Sequence, residues 1–303
     1  MPPRYLGYAC VNETLSGQGI TVGSTLRMNS FSIPKVNDVI LKNIIALDKV
    51  TEWNIANGIK YYRVHSDLFP FFDHEKNLYQ LNDLPQGKSF VSYLAKIGQE
   101  NKKNGIRLSC HPGPFTILAS PKDEVNTKTI KSLEMHFLIG QLLEQDDWNI
   151  NFHIGGTYGN KQETADRFCL NFDKLDDKLK KNITIENDDK QSQWTMVDLY
   201  ELIYKRVGVR LCFDYHHHLL NSGGVSYQEA AALAFSTWPV GQVPETHYSE
   251  SADGKNPVAH SEYISNPIPC FKDDVEYDIM LECKAKELAL FDYKKKLESG
   301  FVK

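Results

Sequence analysis

The chain has 303 residues, 41% of them hydrophobic, with a net charge of -5 and a pI of about 6.1. That is enough for a sizeable core. No run approaches the roughly 18 apolar residues of a membrane span, and the opening MPPRYLGYAC lacks the apolar segment of a secretory signal, so a soluble intracellular protein is expected, cytoplasmic or nucleoid, or nuclear in a eukaryote.

The acidic balance gives no sign of a polyanionic partner, so any nucleic-acid site needs a local basic surface or metal ions. The six cysteines include no CxxC pair and read as reduced structural thiols.

In chain order, RYLGYAC (4–10) predicts the first strand and 37–57 the first helix. IKYYRVH (59–65) is the next strand, ending on His65, followed by a helix over 88–104. IRLSCH (106–111) ends on His111 and leads to a helix over 126–146. NINFHIGG (149–156) carries His153, with a helix over 161–180 after it. NITIEND (182–188) carries Glu186, and a helix follows over 195–207. VRLCFDYHH (209–217) brings Asp214 and His217 before a helix over 226–237. Residues 242–249 hold Glu245 and His247, EYDIMLECK (276–284) holds Glu282, and a last helix spans 285–298.

Gly58, Gly105 and Gly208 each stand just before a strand, where a helix C-cap belongs. Eight strands alternating with helices predict an α/β fold, a single (β/α)8 TIM barrel over 1–303. An open doubly wound sheet is the rival, but it does not explain ligands at so many strand ends. Two long connections, 11–36 and 250–275, are expected on the catalytic face. LDDKLKKN (175–182) reads as a solvated helix end.

His65, His111, His153, Glu186, Asp214, His217, His247, His260 and Glu282 lie at or just past strand ends or on the long seventh connection. In a parallel barrel those ends converge on one face, which predicts a multinuclear metal centre. DYHHH (214–218) is the strongest single motif. Asp214 and His217 reach one ion if the chain turns after Tyr215, but alternation alone leaves open which imidazoles bind.

Glu186 and Glu282 are acids at apolar strand ends, where an unpartnered charge is costly and a shared cation, or an ion pair, resolves the cost. His74, His136, His216 and His218 are assigned structural or outer roles. Mixed imidazole and carboxylate donors suit Mn, Zn or Fe(II). Ions held together there can polarise a phosphate, generate hydroxide near neutral pH and stabilise a leaving oxyanion, so phosphodiester hydrolysis fits best. The absence of a GxSxG elbow disfavours a serine nucleophile.

In order and position, LGYACVN (6–12), YRVHSDLFP (62–70), SCHPGPF (109–115), HIGGTYGNK (153–161), ENDD (186–189), FDYHHH (213–218), ETHYS (245–249) and MLECKAKE (280–287) resemble the ultraviolet damage endonucleases, relatives of the endonuclease IV and xylose isomerase barrels. The resemblance covers nearly the whole chain. It implies a DNA repair endonuclease that cuts damaged double-stranded DNA immediately 5′ to cyclobutane pyrimidine dimers and 6-4 photoproducts. It also implies a three-ion divalent cluster of Mn²⁺, with Zn²⁺ or another divalent ion as the alternative, on the nine residues named above. Glu186 and Glu282 then bridge or anchor ions.

An abasic-site endonuclease of the same superfamily and a sugar isomerase or epimerase are the alternatives. No membrane and no obligatory protein partner are expected, and the chain is expected to act as a monomer.

On the lesion side the resemblance points to Tyr8, Asn12, Pro114 and Phe115, with Tyr158 and Lys161 from the glycine-rich loop holding phosphate. Pro114 and Phe115 replace the Gln and Tyr wedges of many relatives. Glu245 stands where some relatives have a lysine that becomes carboxylated, and is expected to act as a ligand or a base beside the metals.

Overall fold

The strands are Tyr5–Ala9 (β1), Tyr61–Val64 (β2), Arg107–Cys110 (β3), Asn149–Phe152 (β4), Ile183–Glu186 (β5), Arg210–Asp214 (β6), Glu245–Tyr248 (β7) and Asp278–Leu281 (β8). Each pairs in parallel with its sequence neighbour, and β8 closes on β1, so the sheet is a complete barrel with no free edge. This computed structural model describes residues 2–252, 256–271 and 275–301, so parts of the 250–275 connection and of the 1–303 range lie outside the described residues.

Parallel strands need crossovers. These are the helices Ile33–Ala56, Gly87–Lys103, Asp123–Leu142, Lys161–Asp173 and Tyr227–Ser236, and the run Met196–Leu199, Tyr200–Tyr204 and Lys205–Val207, with Lys286–Ser299 following β8. Gly58, Gly105 and Gly208 have φ of 66°, 64° and 68°, the left-handed conformation that lets each chain leave its helix and enter the next strand. No described helix is long and apolar enough to cross a membrane.

Three segments depart from the sequence pattern. The first helix begins at Ile33 rather than 37, because Ser32 caps it and Pro34 suits its first turn. The helix expected over 161–180 breaks after Asp173. Asp176 then caps a separate turn, Asp177–Lys180, whose Leu179 is buried, so LDDKLKKN is not a purely solvated end. The strand expected to reach His217 stops at Asp214. Its carboxylate accepts from the His217 amide at 2.6 Å and starts the helix Tyr215–Leu220.

The apolar core lies between barrel and helices, with Leu47, Leu94, Leu108, Phe152, Phe168 and Ile185 all fully or almost fully buried. The barrel lumen has only a small apolar cluster around Ala9, Tyr61 and Met280. Much of the rest is polar. Asp278 accepts from Arg4 Nε at 2.9 Å and Arg107 Nη1 at 2.8 Å; Arg210 Nη2 donates to Asn149 Oδ1 at 3.1 Å, and Asn149 Nδ2 to Glu245 Oε2 at 2.6 Å. These paired groups form a hydrogen-bonded floor beneath the strand ends, where unpaired ones would be costly.

The helical layer is close-packed. A Cβ on Gly98 would stand 1.8 Å from the Leu143 carbonyl oxygen, so helix Gly87–Lys103 touches the end of Asp123–Leu142 backbone to backbone. Gly98→Ala is expected to cost about 1–3 kcal/mol and lower the Tm; an unchanged Tm in a thermal melt would contradict this contact.

Candidate metal centre

At the C-terminal ends of β3 to β8 the side chains converge. Glu186 is at the centre: its Oε1 lies 3.1 Å from His111 Nε2 and 2.6 Å from His153 Nε2, and its Oε2 lies 2.5 Å from His247 Nδ1. His247 Nδ1 is also 3.4 Å from Glu282 Oε1 and 4.0 Å from Asp214 Oδ2, and Asp214 Oδ1 lies 3.7 Å from His217 Nδ1.

The donors form groupings that fit within an ion's reach: His111, His153 and Glu186; Glu186, Asp214 and His217; Asp214, His247 and Glu282; and Glu186, Cys212 and His247. Shared members, Glu186 above all, make them one continuous cluster.

The imidazoles are held by their far nitrogens. His111 Nδ1 is 2.8 Å from the Pro112 carbonyl, His217 Nδ1 is 2.8 Å from the Asn187 carbonyl, and His153 Nδ1 is 2.9 Å from Asp188 Oδ1. Each contact leaves Nε2 to face the cluster, the arrangement that orients metal-ligating histidines. His247 is turned the other way. Its Nε2 meets Arg63 Nη2 at 2.7 Å and Glu245 Oε1 at 3.3 Å, and Arg63 Nη1 donates to Glu282 Oε1 at 2.5 Å.

Burial works to raise the Glu186 carboxyl, but His153 and His247 hold it well below the ordinary range. His153 is held well above the ordinary imidazole range despite burial, because Glu186 and Asp188 face it. Asp214 is raised by burial, with Glu282 and Glu186 adding to the effect against His217. Glu186 Oε2, Asp214 Oδ2 and His247 Nδ1 are buried without a hydrogen-bond partner, although oppositely charged groups stand nearby. Buried carboxylate oxygens gathered round a shared centre are costly without a cation and satisfied with one, so this donor set fits divalent ions.

Of the nine expected ligands, His111, His153, Glu186, Asp214, His217, His247 and Glu282 come together here. His65 and His260 are in none of the groupings found among the described residues. His65, past the end of β2, accepts from the Asp67 amide at 3.1 Å and packs against Gly23, where a Cβ would fall 2.4 Å from its ring. His260 Nδ1 is 2.6 Å from Ser249 Oγ, and its ring centroid is 6.5 Å from that of His217, so it flanks the cluster.

Glu245 is likewise outside the groupings. It is fully buried on the floor side of His247, and although burial raises its pKa, His247, Arg107 and Arg63 bring it down to about 2. Its contacts fit a residue that orients His247 better than a ligand.

The lesion-side expectations divide. Tyr8 is fully buried, its hydroxyl donating to Asn54 Oδ1 at 2.8 Å and accepting from Asn12 Nδ2 at 2.9 Å, while Asn12 caps the helix Glu13–Ser16. Tyr8 faces the helical layer, one residue out of phase with the lumen-facing Gly7 and Ala9, and neither Tyr8 nor Asn12 is a free probe.

Lys161 is also engaged, donating to Asp198 Oδ2 and the Gln193 carbonyl at 2.8 Å each, so it ties loop to helix instead of waiting for phosphate. Pro114 is exposed, Phe115 is 89% exposed, and Tyr158 is exposed with φ of 49° beneath the Arg167 guanidinium.

Arg63 and Asp188 were missed. Arg63 stands two residues before His65, on the same face of the strand, and Asp188 two after Glu186; that spacing was the available signal.

The sequence matches the family model for UV-endonuclease UvdE over residues 4–301. It is 34% identical to the UV-damage endonuclease of Schizosaccharomyces pombe over 97% of this chain, though it spans only about half, 50%, of that relative. It is 33% identical to the UV DNA damage endonuclease of Bacillus cereus, covering 85% of this chain and 81% of the relative.

The crystal structure of SacUVDE aligns with a TM-score of 0.85 at 30% identity, covering 98% of this chain and 99% of that one. Endonuclease IV from Thermus thermophilus aligns at 14% identity with a TM-score of 0.58, covering 84% and 94%, a likeness of fold. With its barrel, its converging histidines and acids, and a match running from one end of the described chain to the other, the chain belongs to the UV-endonuclease UvdE family.

Proposed function

We propose that this protein is a metal-dependent DNA repair endonuclease that cuts the phosphodiester bond immediately 5′ to cyclobutane pyrimidine dimers and 6-4 photoproducts in double-stranded DNA. The observation that carries the reading is Glu186 with its ring of histidines at the strand ends, in a chain of this family. His111, His153, Glu186, Asp214, His217, His247 and Glu282 hold the ions, with His65 and His260 completing a three-ion set at its flanks, of Mn²⁺ with Zn²⁺ or another divalent ion as the alternative. Bound ions supply Lewis-acid polarisation of the phosphate and lower the pKa of water.

The protein's own groups do the rest. Pro112, Asn187 and Asp188 fix the imidazole rotamers, and Arg63 and Glu245 hold His247 from behind. The loop 153–161, with positive φ at Gly155, Tyr158 and Gly159, lies beside the cluster and offers backbone amides to phosphate oxygens in place of Lys161. Phe115 enters the stack where a lesion has weakened it, so damage is read as deformability.

Phe115→Ala is expected to reduce kcat/KM on a dimer-bearing duplex roughly 10-fold, the worth of one aromatic–base stack, while metal content stays unchanged. Unchanged incision would remove Phe115 from the account.

The test of the function is incision of end-labelled duplexes bearing a single cyclobutane dimer, a single abasic site or no damage. The expected cut falls at the bond 5′ to the dimer. Cutting only at the abasic site would replace this reading with an abasic endonuclease, and no cutting of any duplex would favour a sugar-active barrel.

A further inference from the structure

Cys212 lies in β6 between Arg210 and Asp214, so strand alternation points its thiol into the lumen with them. The other buried cysteines, Cys110, Cys169 and Cys283, pack in the main apolar core. Cys212 belongs to neither apolar cluster. It is register-paired with Glu186 and fully buried directly beneath the cluster, where His247 is its strongest charged neighbour.

Its Sγ, a carboxylate oxygen of Glu186 and a ring nitrogen of His247 lie within 4.8 Å of one another, and Glu186 Oε2 and His247 Nδ1, both buried, stand 2.5 Å apart without hydrogen-bond geometry. Tetrahedral ligands with bonds of about 2.0–2.3 Å stand roughly 3.3–3.8 Å apart, so an ion between Glu186 and His247 needs their 2.5 Å contact to open by about an ångström.

We propose that Cys212 is a metal ligand, and that with Glu186 and His247 it makes the innermost position of the cluster a mixed thiolate, carboxylate and imidazole site selective for a thiophilic ion such as Zn²⁺ or Co²⁺ over Mn²⁺. Ligation replaces the S–H bond with an S–metal bond and releases one proton to solvent; no electron is transferred. A soft donor among hard ones sets ion preference by position, since Mn²⁺ favours the oxygen- and nitrogen-rich groupings and Zn²⁺ or Co²⁺ the one with sulfur. The proposal rests on the metal-centre reading above.

The experiment loads metal-stripped protein with Co²⁺ or Zn²⁺ and reads the metal itself. With Co²⁺, a sulfur-to-cobalt charge-transfer band in the near ultraviolet is expected; with Zn²⁺, X-ray absorption should show a sulfur shell near ~2.3 Å. Both signals are lost in Cys212→Ser and Cys212→Ala and kept in Cys10→Ala, whose thiol lies just past β1. Circular dichroism of each variant verifies the fold. If a variant is unfolded, the sulfur shell in the wild-type protein and in Cys10→Ala still decides the matter.

Bound ions with only nitrogen and oxygen neighbours in the wild type would overturn the proposal and leave the metal-centre reading intact. A sulfur shell that survives folded Cys212→Ala would overturn it too. No uptake of either ion would overturn both.

Discussion

Glu186→Gln is expected to abolish incision, with a loss on the order of 10²–10³-fold or more, the scale seen when a preorganised electrostatic group is removed from a catalytic centre. Glutamine keeps the shape but presents one neutral oxygen where the carboxylate meets His111, His153 and His247 at 3.1, 2.6 and 2.5 Å. Every grouping that shares Glu186 then weakens at once, so metal content by elemental analysis should fall together with activity.

The same substitution alters the acid limb of stability in the metal-free protein. Burial opposes it, but His153 and His247 hold the Glu186 carboxyl well below its ordinary range. Its contribution is therefore present above the unfolded value of about 4.3 and is lost as pH falls from there through its lower folded value. His153, held well above its ordinary range by Glu186, contributes below the unfolded value of about 6.5, and that part fades as pH rises through its folded value. The pair is complete between these limits. A pH series of melts should show wild type losing Tm on the acid side and Glu186→Gln losing less. Parallel curves would contradict the pairing, and wild-type activity in the variant would remove Glu186 from the centre.

Arg63→Met should have the largest effect on stability. The guanidinium is buried, donates to Glu282 Oε1 at 2.5 Å and reaches His247 Nε2 at 2.7 Å, so methionine removes the cation from a buried pair and leaves the acid uncompensated. Burial raises Glu282, whereas Arg63 and then His247 pull it well below the ordinary range. Breaking such a pair from one side costs about 3–5 kcal/mol. Bound divalent ions give Glu282 a replacement partner, so metal addition should raise the Tm of Arg63→Met more than that of wild type. An equal metal-induced shift in the two proteins would mean that Arg63 and the ions do not share Glu282.

The sequence showed the barrel because parallel strands enclosed by helices are short apolar runs, and each of these runs is bounded by a glycine turn or a polar end. Gly58, Gly105 and Gly208 mark three of those entries and do adopt positive φ. The cluster was legible for a related reason: Glu186, Asp214, His247 and Glu282 are polar residues at positions that apolar strands would otherwise fill.

Partnerships were less legible. Tyr8 is an exposed aromatic or a wall residue depending on which face of β1 it occupies, and its bonds to Asn54 and Asn12 come from a helix more than forty positions away and from a capping turn. Lys161 looks free until Asp198, brought over by the next crossover, claims it. The polar floor of Arg107, Arg210, Asn149 and Asp278 reads as ordinary alternation along each strand and becomes a network only when the barrel closes. Asp214 ending its strand as a helix cap is local chemistry, a capping aspartate three residues before His217, and could have been read from DYHHH.

The central claim is that the strand-end cluster is the metal-dependent centre of a damage-specific endonuclease. Its most direct test is a titration: metal-stripped protein is given Mn²⁺ in steps, and bound ions and incision 5′ to a single cyclobutane dimer are measured in the same samples. The account predicts no cutting by the stripped protein, activity that rises with ion occupancy, and neither in Glu186→Gln. Full incision by protein shown to hold no metal, or by Glu186→Gln, would contradict it.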